Sequence, residues 1–123
     1  MKRKDVKEKK QLTAHETVKI FINEMRKYGT EEYNESTVLQ FCQLTWVKAT
    51  RFIDVSLDVI GKALQGGTCG IKERSVLSDN CIIFELTMQT GRYSIKAICE
   101  KVPYKPDKNG KWGVNPLSFY KLP

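Results

Sequence analysis

The residues with chemical reach in this chain are one histidine, four cysteines, two aspartates four positions apart and a scatter of glycines. A serine or cysteine nucleophile needs a base beside it. His15 is the single imidazole, and it falls in the first turn of a helix-forming segment, where water surrounds it. Cys42, Cys69, Cys81 and Cys99 include no Cys-x-x-Cys pair. Zinc sites are built from closely spaced Cys and His, so no metal and no cofactor is expected. The thiols read as small buried hydrophobes in a reduced, cytoplasmic protein. Asp54 and Asp58 could share general acid–base work. They alternate with Ile53, Val55 and Leu57, however, and so point away from an apolar face as plain surface charge. Gly61, Gly66, Gly67 and Gly70 lack the Gly-Lys-Ser/Thr of a phosphate loop and read as loop punctuation. The expectation is a protein that is not an enzyme.

The elements that position these residues follow from periodicity. Thr13-Ala14-His15-Glu16 has the form of a capping box, in which the Thr hydroxyl and the Glu carboxylate each satisfy an orphan backbone N–H. Ala14, Val18, Phe21, Ile22, Met25 and Tyr28 then recur at helical spacing, and Gly29 suits a left-handed cap, which predicts a helix over 14–28. Ser36 can cap a second, shorter helix ending near Leu44, with Val38, Leu39, Phe41 and Cys42 facing inward and Trp46 anchoring the passage to the sheet. Residues 52–60 fit two periods. Ile53, Val55, Leu57 and Val59 alternate, whereas Ile53, Leu57, Ile60 and Leu64 fit a helix; the β-branched content favours a strand. Residues 71–77 read as a charged edge strand, and Ser78-Asp79-Asn80 as a turn. Ile82, Phe84, Leu86 and Met88 share one strand face; Tyr93, Ile95, Ala97 and Cys99 share another, with Thr90-Gly91-Arg92 between them, which makes 81–88/93–102 a hairpin. A longer turn through Pro103 to Gly110 leads to a last strand over 112–122, in which Pro116 argues for a bulge or an edge. The fold class is therefore α+β: N-terminal helices packed on a curved antiparallel sheet of four or five strands.

Charge divides the chain. Residues 1–10 carry Lys2, Arg3, Lys4, Lys7, Lys9 and Lys10 and a net +4; residues 11–100 are near neutral at −1; residues 101–123 carry +4, within a total of +7. The first twelve residues read as a flexible basic arm ahead of one domain over 13–123. The arm can touch phosphates or an acidic surface. No apolar run approaches the roughly 20 residues of a membrane span, and no apolar segment of a secretory signal follows the basic start. A DNA-binding alternative takes Val38–Leu44 and Lys48–Ile60 as a helix-turn-helix with Lys48, Thr50 and Arg51 at the major groove and the 81–102 hairpin as a wing. Asp54 and Asp58 on that helix would repel phosphate.

The opening Thr13-Ala-His-Glu-Thr-Val-Lys-Ile-Phe-Ile, the hairpin, and the closing Asn109-Gly-Lys-Trp-Gly-Val-Asn-Pro-Leu-Ser-Phe resemble the nuclear transport factor 2-like (cystatin-like) superfamily over about 13–122. The resemblance implies a curved sheet wrapped around N-terminal helices, and its members include isomerases, dehydratases, partner-binding domains and conjugation-machinery modules. Enzymes of that group line the cone with acid–base residues that this chain does not supply. Two expectations remain. Phe84, Met88, Tyr93 and Trp112 would line a small-ligand cone; or the domain is a non-catalytic assembly module that binds a protein, a second copy of itself included.

Overall fold

The structure, a computed structural model, describes residues 12–43, 50–65, 67–100 and 110–123. The basic arm through Lys10, Trp46, Lys48 and the turn at 101–109 lie outside the described residues. Among the described residues, helices α1 (Ala14–Met25), α2 (Glu35–Leu39) and α3 (Thr50–Leu64) precede strands β1 (Gly70–Ser78), β2 (Cys81–Met88), β3 (Gly91–Glu100) and β4 (Lys111–Lys121). The strands form an open antiparallel sheet in chain order, β1-β2-β3-β4. The fold is α+β with a curved antiparallel sheet.

α1 starts where its capping box dictates. The Glu16 N–H donates to Thr13 Oγ1 at 3.1 Å and the Thr13 N–H donates to the Glu16 carboxylate at 2.8 Å. The helix ends at Met25, three residues short of expectation; turn structure carries the chain to Gly29 at φ +86°. α2 is capped by Asn34 rather than Ser36, since the Asn34 side chain reaches the Thr37 N–H at 3.2 Å. Val38 and Cys42 are buried as expected.

The segment expected to be a strand at 52–60 is instead the middle of α3. A strand would have buried Val55 and Val59 together with Ile53 and Leu57. The helix buries Ile53, Leu57, Ile60 and Leu64, one apolar row at i, i+4, i+7 and i+11, and leaves Val55 and Val59 outside. The helical row runs on through Leu64, where the alternation has stopped, and it matches the surface of the sheet. Gly61 is therefore no loop residue. It is buried in α3 against the Tyr28 ring, where an added Cβ would lie 2.7 Å from the Tyr28 Cβ and closer still to the ring.

β2 and β3 pair in register, with Phe84 opposite Ile95, Leu86 opposite Tyr93 and Ile82 opposite Ala97. The hairpin loop is Gln89-Thr90, and Gly91, at φ +138°, opens β3. Pro116 does mark a bulge. Lys96 pairs with Asn115 and Ser94 with Tyr120, so residues 116–119 stand against Ile95 alone. Local bonds close this excursion: the Lys96 N–H donates to Ser118 Oγ at 2.8 Å, and the Leu117 N–H donates to Asn115 Oδ1 at 3.0 Å.

α1 and α3 cover one face of the sheet, meeting Phe84, Leu86, Met88, Tyr93, Ile95 and Val114. Each fully buried Phe, Leu or Ile contributes about 1.5–3 kcal/mol. The expected cone lining belongs to this packed layer. Phe84, Met88 and Tyr93 are buried core residues, Trp112 packs against them half-buried, and Tyr93 stacks on Phe119 with centroids 4.8 Å apart. Outside the core layer, residues 41–43 cross the free edge of β4: the Gln43 N–H donates to the Val114 carbonyl at 2.9 Å, and the Val114 N–H donates to the Phe41 carbonyl at 2.8 Å. Gly113 permits this crossing, because a Cβ there would lie 2.6 Å from the Gln43 nitrogen.

Candidate functional site

α3 presents three distinct surfaces, because its residues fall into three groups around a 3.6-residue turn. The first is the core row. The second carries Asp54, Asp58 and Lys62 and looks toward α1 and α2. There Asp58 accepts from the Tyr28 hydroxyl and pairs with Lys62 at 3.1 Å. The hydrogen bond from Tyr28, then that from Lys62, holds the Asp58 carboxyl below its ordinary value, and the same bond raises the Tyr28 phenol. Glu35 of α2 meets Asp54, and sharing a proton with that carboxylate raises the Glu35 pKa, with desolvation adding to it. Tyr33, pushed up to about 12 by burial, stands edge-on to Tyr28 at 5.1 Å.

This junction is a set of satisfied structural contacts. Asp58 is committed to two partners, and Asp54 and Glu35 are both exposed. The expectation that Asp54 and Asp58 are surface charges holds, although they stand on a helix rather than on the outside of a sheet.

The third surface is apolar and outward. Phe52, Val55 and Val59 are 57%, 65% and 51% exposed. The bulge of β4 brings Pro116, Leu117 and Phe119 alongside Val55, Ser56 and Val59, enclosing a groove of about 110 Å³. Leu117 is itself 39% exposed. Together these side chains form one contiguous apolar row. Reading 52–60 as a strand hid it, since Val55 and Val59 were then assigned to the interior. The helical spacing of Phe52, Val55 and Val59 was the available signal.

No protein-family model, no curated protein and no solved structure matches the chain. Function is therefore argued from these surfaces alone. Of the residues expected at DNA, Lys48 and the side chains of Thr50 and Arg51 lie outside the described residues. The described outer surface of α3 offers Phe52, Val55 and Val59 flanked by Asp54 and Asp58. Of the helix expected at Val38–Leu44, the described part is helical only through Leu39. All four cysteines are free thiols; burial pushes Cys42 up to about 12 and Cys69 up to about 11. Among the described residues, no three His, Cys, Asp or Glu side chains gather as metal ligands would, and no helix is long and apolar enough to cross a membrane.

Proposed function

We propose that this domain is a non-catalytic assembly module that self-associates through the outward row of α3. The observation that carries the reading is the exposure of Phe52, Val55 and Val59 on one side of a helix, continued by Leu117 from the β4 bulge.

A second copy is the occupant that the pattern of the row favours. A two-fold axis beside Leu57 crosses α3 with its copy in antiparallel fashion. Val55 then lies over Val59 of the second copy, and Val59 over its Val55. Such a contact is isologous and self-complementary, built from two apolar pairs. The nuclear transport factor 2-like resemblance of the sequence implies partner binding as readily as catalysis.

Sedimentation velocity across the micromolar range tests the reading. The expected result is a concentration-dependent dimer for the native chain and a monomer for the Val55→Asp/Val59→Asp double variant. The helical circular dichroism and Tm of that variant should be nearly unchanged, because both side chains are already solvated. A native chain that stays monomeric, or a double variant that dimerises as well as the native chain, overturns it.

A further inference from the structure

On the same face of the sheet as α3, but at the opposite edge, α1 and β1 form a channel of different chemistry. His15, Lys19, Ile22 and Asn23 of α1, with Arg26 at its C-terminal cap, face Cys69 and Ile71, enclosing about 210 Å³. The helical spacing of 15, 19, 22 and 26 places those four side chains in one strip about 16 Å long. Among the described residues, no carboxylate lines the channel. Neither Lys19 nor Arg26 forms an ion pair with a described residue. Beyond Arg26 a second hollow of about 410 Å³, lined by Leu64, Gly67, Thr68 and Gln89, continues it, again without an acid among the described residues.

The strand beside this strip is β1, an edge of the sheet. Its first four residues pair regularly with β2, from Gly70 opposite Thr87 to Glu73 opposite Phe84, before a bulge at Arg74. The outer backbone edge of that stretch makes no backbone hydrogen bond to a described residue. Helix and strand run antiparallel along each other. The Arg26 charge acts on Cys69 at one end. At the other, the His15 ring lies 6.0 Å from Phe84, the cross-strand neighbour of Glu73.

We propose that an extended acidic peptide binds this channel as an added strand on β1, with its acidic side chains on the cationic strip of α1. Strand addition supplies affinity through the main chain and selectivity through alternate side chains. The spacings agree. Side chains two apart on a strand are about 6.7 Å apart, close to the roughly 6 Å from His15 to Lys19 along the helix. Four residues span about 13 Å, against about 10 Å from Lys19 to Arg26, a difference that long side chains absorb. Ile22 and Ile71 give an apolar floor between the cations. The matching peptide is Glu-Thr-Glu-Thr-Val-Thr-Glu, with one Glu on Lys19, one on Arg26, one beside the His15 ring and Val on the floor.

Fluorescence anisotropy with that labelled heptapeptide and the full chain tests the proposal, in low salt and again in physiological salt. Lys19→Glu and Arg26→Glu should each weaken binding about tenfold or more. Lys111→Glu, which changes net charge equally on exposed β4, should change it less than about twofold. A peptide N-methylated at alternate residues keeps its charge but loses strand donors, and it should not bind. Equal loss in Lys111→Glu, or full binding of the N-methylated peptide, overturns the proposal in favour of diffuse attraction. Binding should survive in the Val55→Asp/Val59→Asp variant, so its outcome is separate from that of self-association.

Discussion

The ring of Tyr28 lies directly on the backbone of Gly61, one helical turn beyond the Asp58 carboxylate that its hydroxyl binds. A glycine within a helix ordinarily costs about 1 kcal/mol relative to alanine. Here alanine would drive its Cβ into the ring. Overpacking of this kind costs about 1–3 kcal/mol, so the steric term wins. Gly61→Ala is expected to lower the urea midpoint, and the Tyr28→Ala/Gly61→Ala double variant to lose less than the two single variants added together. Additive losses in that cycle would mean that the two residues do not touch.

Glu35 and Asp54 give a pH signature. The folded-state pKa of Glu35 is raised by Asp54. Its contribution to stability is therefore complete below the ordinary value of 4.5 and is lost as pH rises through the raised value. Glu35→Gln removes that loss. Calorimetry should find Tm higher than native at pH 7 and no gain at pH 4. Asp58 behaves oppositely: its pKa is lowered, so its contribution is present above 3.8 and fades as pH falls through the depressed value. Asp58→Asn should be destabilising at pH 7 and indifferent in strong acid.

Gly113 admits residues 42 and 43 across the β4 edge. Gly113→Ala meets backbone rather than a side chain able to turn away, and should cost about 2–3 kcal/mol. Hydrogen exchange locates the damage. The amides of Gln43 and Val114, bonded across the crossing, should lose protection before those of Phe84 and Ile95.

The capping box is a local feature with a local cost. Thr13→Ala removes the acceptor of the Glu16 N–H and should cost about 1 kcal/mol. Thr13→Asp, which keeps an acceptor and adds negative charge at the helix N-terminus, should recover most of it.

Features set by neighbours in sequence were legible. The Thr13–Glu16 box, the alternation of Phe84, Leu86, Tyr93 and Ile95, and the bulge at Pro116 all follow from local chemistry. Residues 52–60 were not legible, because two periods coexist there and only the packing of Ile60 and Leu64 decides between them. That one ambiguity concealed the apolar row of Phe52, Val55 and Val59. Gly61 looked like punctuation, and the need for Gly113 was invisible, because the groups that need them, Tyr28 and Gln43, are distant in sequence. The channel beside β1 was equally hidden, because Lys19 and Arg26 meet Cys69 and Ile71 only in the folded chain.

The crossing of residues 41–43 over Val114 also sets an order of events in time. The sheet is a meander of neighbours, and contacts of that kind form early because they close short loops. The helices come first in the chain, yet α1 finds much of its packing on β3 and β4, and the tie from Phe41 and Gln43 waits for Val114. A chain emerging from the ribosome would hold its helices unsupported until β4 had been made. The strand sealing the domain also closes its longest loops, so folding is completed late and nearly all at once.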